Sequence, residues 1–301
     1  MATRKKIITA SSATNLTNTR VPFVDANGDL VDDADMTFVT DTLTITNVQP
    51  TTVNLGHATD TTLTRVSAGV IAVEGNTIAL ATNTVSTVKT QVFTSSGTYT
   101  PSTGMKYCVV EVQAPGGGGG GVATSIAAQA SVAAGGGGGG YSRKVITAAT
   151  IGASQTVTIG AVGTAGSNVG GAGGTGGTTS LGALITATGG AGGGGAVTAT
   201  SGNNLGGAGG VGSSGDFNTN GGGGNQASWI AAQPLSYGNG GNSYFSGTNV
   251  YGAGFGAGQN GLNYGSGGSG AISIGSGGAS GAFVGGTGGA GIIVITEYCN
   301  Q

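Results

Sequence analysis

The chain has 301 residues, of which 68 are glycine, 5 proline and 2 cysteine, and its formal net charge is −2. So small a charge offers no basic footprint for nucleic acid, and no apolar run reaches the 18 or so residues of a membrane-spanning helix. Too little proline for collagen, and too many apolar runs among the glycines for a featureless linker, leave a folded glycine-rich protein.

Residues 1–40 are polar. The start MATRKKIITASS has too little apolar sequence for a signal-peptide core, so no Sec export is expected. The acidic cluster Asp29, Asp32, Asp33 and Asp35, beside Asn27-Gly28, lacks the alternate spacing and closing Glu of an EF-hand loop. It reads as a solvated turn.

Residues 41–90 fall into short alternating pieces: TLTITNV, TTVNLG, TTLTRV, GVIAVEG, NTIALA and NTVSTV. Each predicts a half-buried strand with a very small apolar face. One copy buries too little surface to offset its ordering entropy, so the segment predicts a β-rich shaft that assembles as a homotrimer. The sole histidine, His57, reads as structural, and Asp60 and Glu74 as solvated shaft residues.

From residue 91 to 301 the style changes, because 62 glycines follow Ala114 and 6 precede Pro115. Apolar runs at QVF, CVVEVQA, GGYSRKVITAAT, SQTVTIGAVG, SLGALITATGG and AGIIVITEYC predict a small antiparallel β-sandwich. Its strands fall within 91–190 and 291–299, with the glycine-rich stretches as insertions. Cys108 and Cys299, in the first and last strong strands, read as two buried thiols more readily than as a disulfide.

Glycine at such density costs backbone entropy and must supply close approach. A polyproline II helix has three residues per turn and no internal hydrogen bonds, so buried copies must bond laterally, through faces without side chains. Repeats such as GGAGGTGGT (170–178), with GGAGGGG (189–195), GGAGGV (206–211), GGGG (221–224) and GGTGGAG (285–291), therefore predict a bundle of polyglycine II helices. A floppy linker is the alternative, but the segments are short, recur between strands and carry Ala, Thr, Val or Ser at the third position. The pure runs 116–121 and 135–140 have no decorated face and belong in the most enclosed positions. In GGAGGTGGT, Gly170, Gly171, Gly173, Gly174, Gly176 and Gly177 are expected to face other helices, and Ala172, Thr175 and Thr178 to line an exposed edge.

The aromatics Phe217, Trp229, Tyr237, Tyr244, Phe245, Tyr251, Phe255 and Tyr264 crowd the interval with the longest non-glycine insertions. Rings flanked by Asn, Ser and Gly resemble the contact mix of antibody loops, and as a group they are the candidate receptor-binding residues. Individually, each fits equally well as packing at a subunit seam or over the bundle. No catalytic constellation is found: the glycine-rich half offers Asp216 and Glu297 as its acids, and no nucleotide- or metal-binding motif occurs. No enzyme activity, cofactor or metal is expected.

The block TTVNLGHATDTTLTRVSAGVIAVEGN (51–76) resembles a module of tailed-phage fibre proteins. The sequence FTSSGTYTPSTGMKYCVVEVQAPGGGGGG, then GGYSRKVITAATIGASQTVTIGAVG, TSLGALITATGGAGGGG and GGAGIIVIT, is similar to the glycine-rich C-terminal domains of bacteriophage tail fibres. More loosely, it resembles the adhesin tips of long fibres in T-even-like phages. The resemblance implies a trimeric virion protein made in the host cytoplasm. Residues 1–40 would attach it to other virion proteins, 41–90 form the shaft, and 91–301 form a tip that binds a host surface receptor, protein or glycan. Neither nucleic-acid binding nor membrane insertion is implied. Two readings remain beside it: a capsid or neck decoration fibre, and an ice-binding polyglycine II protein resembling the antifreeze proteins of snow fleas.

Overall fold

A computed structural model describes residues 22–24, 30–32, 52–54, 62–67, 70–73, 76–78, 85–248, 255–276 and 281–300. The chain divides into two compact units, Met1–Thr77 and Ile78–Gln301. Among the described residues the protein is all-β except for one helical turn, and its antiparallel sheets stay open. No described helix is long and apolar enough to cross a membrane.

In the first unit β1 (Pro22–Val24) pairs with β2 (Leu30–Asp32) as a two-stranded ribbon. The strands β3 (Thr52–Asn54), β4 (Thr62–Ser67), β5 (Val70–Val73) and β6 (Asn76–Ile78) form a four-stranded sheet in sequence order. Four of the predicted short pieces are thus strands, at least in part. TLTITNV, with Asp29, Asp33, Asp35, His57, Asp60 and Glu74, lies outside the described residues.

The remaining piece, NTVSTV, runs into β7 (Thr87–Phe93), which belongs to a sheet of the second unit. Here β8 is Gly97–Tyr99, β9 Met105–Gln113, β10 Ala130–Val132, β11 Tyr141–Thr147, β12 Gln155–Thr158, β13 Thr179–Leu181 and β14 Ile185–Ala187. They are followed by β15 (Ser201–Asn204), β16 (Gly212–Ser213), β17 (Phe217–Thr219), β18 (Ala227–Ile230), β19 (Gln233–Ser236), β20 (Ile272–Ile274) and β21 (Ile292–Cys299). All six apolar runs of the sequence supply strands. Two runs differ in detail. In SLGALITATGG, Gly182 adopts φ +50° and turns the run into the β13–β14 hairpin. After β11, Thr147 accepts a hydrogen bond from the Thr150 N–H and caps the single helical turn α1 (Ala148–Ile151).

Two five-stranded antiparallel sheets, ordered β17-β11-β9-β21-β7 and β16-β14-β13-β12-β8, share one core. Cys108, Val110, Val112, Ile293 and Ile295 of the first meet Tyr99, Val157, Leu181 and Ile185 of the second. Alternation does this: on β9 the residues 108, 110 and 112 point inward while 107, 109 and 111 do not. Cys108 and Cys299 are both buried and both free; in the β9–β21 register Cys108 faces Glu297 while Cys299 faces Met105.

A second core lies at the far end of the glycine-rich segments. Val122, Val132, Trp229, Ile272 and Ile274 pack there among alanines, with Phe283 against them. The small sheets β10–β20 and β15–β18–β19 frame it.

Between the two cores the glycine segments form a lattice of lateral hydrogen bonds with a three-residue period. In the run 116–121, the N–H groups of Gly116 and Gly119 donate to Gly289 and Gly286, those of Gly117 and Gly120 to Gly137 and Ala134, and those of Gly118 and Gly121 to Gly174 and Gly171. Its carbonyls accept with the same period: Gly116 and Gly119 from Gly163 and Gly166, Gly117 and Gly120 from Gly268 and Ala271, Gly118 and Gly121 from Gly193 and Ala196. The run is therefore ringed by other segments on every side. The run 135–140 is ringed in the same way, and both runs are buried along their whole length.

The bonding arranges the segments in layers. Segments 170–178, 188–196 and 205–212 make one layer; 160–167, 116–121, 134–140 and 220–225 the next; 283–291, 264–271 and 237–243 a third, with 256–262 outside it. Within the two glycine runs no residue has positive φ. Close approach is what demands glycine: a Cβ on Gly118 would collide with the Thr164 carbonyl, and one on Gly137 with that of Ala208. Such a lattice buries few side chains, and those it does bury, such as Ala134, Ala196, Ser266 and Ser269, are small. Each net hydrogen bond contributes about 1 kcal/mol, against an entropy penalty for glycine of up to about 1 kcal/mol relative to alanine. The near balance explains why the lattice is clamped between two apolar cores, where each buried Ile, Leu or Val contributes about 1.5–3 kcal/mol.

Candidate functional site

The acids of the glycine-rich half are committed to structure. Glu297 is fully buried, and its Oε1 accepts from Tyr99 Oη (2.7 Å), the Ser102 N–H (2.9 Å) and Gln91 Nε2 (3.2 Å). Burial pushes this carboxyl up, but the bonds from Ser102, then Tyr99 and Gln91, outweigh it and hold the group below its ordinary value. Burial, aided by Glu297, raises the Tyr99 hydroxyl in turn. The Cys108 thiol is pushed up to about 11, chiefly by burial. Asp216 Oδ2 accepts from the Val145 N–H at 2.8 Å. Among the described residues no group of three or more His, Cys, Asp or Glu comes together to hold a metal.

Four aromatic rings gather where β11 leaves the glycine run 135–140. Tyr141 is buried, and Tyr244 stacks on it with ring centroids 3.9 Å apart and planes at 12°. Phe245 and Phe217 meet Tyr141 edge-on at 5.7 and 6.2 Å. Tyr141 donates to Glu111 Oε1 at 2.6 Å, and burial followed by this bond raises its hydroxyl pKa. The outer three rings stay accessible: Tyr244 is 54% exposed, Phe217 51% and Phe245 39%. Stacked and edge-to-face pairs of this kind add about 0.5–1.5 kcal/mol each beyond area burial. The patch is thus a rigid, half-open apolar surface with a hydroxyl-bearing ring.

A second surface lies toward the other core. A groove of about 610 Å³ runs over the ends of segments 205–212, 220–225 and 237–243, lined by Leu205, Gly206, Gly224, Asn225, Gln226, Ser236, Tyr237 and Asn239. Tyr237 is 44% exposed there. The Asn225 N–H donates to the Asn239 carbonyl, and Ser236 Oγ lies 3.0 Å from Ser228 Oγ and donates to the Gln226 carbonyl at 3.2 Å.

The candidate aromatics therefore do not share one site. Phe217, Tyr244 and Phe245 come together, and Tyr237 lines the groove. Phe255 is exposed and joins neither group among the described residues, and Tyr264 is half-buried with its carbonyl accepting from Ser243 Oγ. Trp229 is 5% exposed in the second core, its Nε1 donating to the Ala199 carbonyl, so its ring is occupied by packing. Tyr251 lies outside the described residues. Tyr141, Glu111, Asn225 and Gln226 were not singled out from the sequence. The signal for Tyr141 is a bulky ring directly after six glycines, where lattice gives way to sheet; Asn225 and Gln226 carried none beyond composition.

The candidate scaffold glycines are placed as follows. A Cβ would collide with the Gly118 carbonyl at Gly173 and with Thr164 Oγ1 at Gly174; at Gly176 it would sit 2.6 Å from the Pro115 carbonyl oxygen, and at Gly177 2.8 Å from the Ala161 nitrogen. At Gly171 it would meet Ser167 Oγ; Gly170 has φ +87° and begins the segment after a turn. Ala172, Thr175 and Thr178 are exposed.

Residues 92–298 match a family model described as a glycine-rich domain. No curated protein matches the chain.

Proposed function

The chain belongs to the family of glycine-rich domains, and from there we propose that its lattice is a polyglycine II bundle serving as scaffold for a tail-fibre tip that attaches to a host-cell surface. The observation that carries this is the patch of Phe217, Tyr244 and Phe245, exposed yet locked onto Tyr141. A preorganised aromatic patch binds without paying to order its side chains. The three-residue bond period supports polyglycine II, whose repeat brings every third residue to the same side. Binding proceeds without catalysis, because Glu297 and Asp216 are both engaged in structural bonds.

In this reading residues 1–40 attach to other virion proteins and 41–90 join three chains, supported by the thinness of β3 to β6. The fibre is a virion protein, on the tail in the first instance and on capsid or neck in the second. The exposed line Ala172, Thr175 and Thr178 favours ice binding as the other reading; thermal hysteresis of the purified chain separates the two.

Removing 225–251 does not test the attachment surface cleanly, since it takes away segment 237–243, whose Gly241 bonds to Gly136 in the interior. The better experiment measures binding of the labelled full chain to a panel of bacterial strains. Phe217→Ala, Tyr244→Ala and Phe245→Ala together are expected to weaken adsorption at least about tenfold, as loss of interface hot spots does, with sedimentation unchanged. Full adsorption by this variant, or none by the wild-type chain to any strain, overturns the reading.

A further inference from the structure

The groove around Tyr237 differs chemically from the aromatic patch. Beyond Pro115 the charged residues are Arg143, Lys144, Asp216 and Glu297. Arg143 and Lys144 lie on β11, Asp216 bonds to β11, and Glu297 is buried on β21; among the described residues no charged side chain lines the groove. An ionic ligand would give up its hydration there without a counter-charge. An apolar ligand is equally disfavoured. The carboxamides of Asn225 and Gln226 are exposed and make no hydrogen bond among the described residues, and neither does the backbone N–H or C=O of Gly206. Covering these groups with hydrocarbon would cost about 1–3 kcal/mol for each one left unpaired.

What fits is a neutral ligand dense in groups that both donate and accept, with a flat apolar face for the Tyr237 ring. We propose that this groove binds a neutral oligosaccharide. Pyranose hydroxyls pair with the carboxamides of Asn225 and Gln226, each of which offers donors and an acceptor, and with the backbone of Gly206. The C–H face of one sugar lies on Tyr237. The frame is preformed: Asn225 is held through its backbone by Gly135 and Asn239, and the Gln226 carbonyl by Ser236. This inference rests on the attachment reading and specifies a ligand class for it.

The test titrates the full chain with neutral tetra- to hexasaccharides of glucose, galactose, mannose and N-acetylglucosamine, with sialyllactose as the acidic control and an uncharged Ser/Gly/Asn peptide as the polypeptide control. Saturation-transfer NMR reads binding. At least one neutral series is expected to bind, with affinity reduced roughly tenfold or more by Tyr237→Ala and by Gln226→Ala and unchanged by Val169→Ala, an exposed residue outside both the groove and the aromatic patch. Unaltered Trp229 emission establishes that each variant is folded. Absence of neutral-saccharide binding up to about 10 mM, binding unmoved by both groove substitutions, or preference for the acidic sugar or the peptide overturns the proposal. Sugar binding without adsorption to any cell overturns the attachment reading alone, and adsorption without sugar binding overturns this one alone.

Discussion

At Glu297 one carboxylate oxygen collects three hydrogen bonds in a fully buried position, from side chains and backbone of the β7 to β9 region. Its folded pKa lies below the ordinary carboxylate value. The sign follows: stability from this group is complete above the ordinary range, near 4.3, and is lost as the pH falls through the lowered folded value. The thermal midpoint is therefore expected to hold steady from neutral pH to about 5 and to drop below about 4. Glu297→Gln should flatten that acid limb and cost about 1–3 kcal/mol at neutral pH, because hydrogen bonds to a charge are lost; calorimetry across pH checks both. The lattice glycines make a different demand. Gly173→Val places a side chain against the Gly118 carbonyl, for a cost of roughly 3 kcal/mol or more. Thr175→Val, two residues on and exposed, should change stability by about 0.5 kcal/mol or less. Paired denaturant curves read the contrast.

Among the elements, the glycine segments behave neither as strands nor as loops. Their bonds run sideways with period three, so a segment at the surface alternates bonded and solvent-facing amides. In 205–212 the N–H groups of Gly207 and Gly210 donate to Gly135 and Gly138, while those of Gly206 and Gly209 have no acceptor among the described residues. Amide hydrogen exchange should show this directly. Gly206 and Gly209 are expected to exchange at near-unprotected rates and Gly207 and Gly210 slowly, while every amide of 116–121 is slow. Uniform protection along 205–212 would contradict the bonding scheme. The apolar runs were legible as strands, most plainly β9 and β21, whose inward positions alternate over most of their eight or nine residues. The second core was not legible: β10, β18 and β20 are three or four residues long and alanine- or serine-rich, too short to show a period.

For the whole molecule, the second unit is a lattice held between two apolar cores, and its single tryptophan belongs to the core farther from the five-stranded sheets. Native emission should be blue-shifted and poorly quenched by acrylamide. Trp229→Ala should cost about 3–5 kcal/mol, since most of its neighbours in the second core are alanines, too short to fill the cavity. Assembly is a separate matter: the proposed shaft predicts that sedimentation of the full chain gives three times the chain mass, and a monomer at micromolar concentration would remove the trimer from the reading. Read by itself, the sequence determined that glycine and charge separate along the chain, that the glycine-rich half is all-β around its runs, and that the pure runs 116–121 and 135–140 belong inside. Composition and period are enough for this, because a segment without side chains has no other way to be buried. Which segment bonds to which, which aromatics meet, and that Trp229 is packing while Tyr141 is the base of a surface patch were decided by tertiary structure. Glycine segments are interchangeable in local propensity, so their order in the layers is set by the strands and cores at their ends, through contacts far apart in the chain.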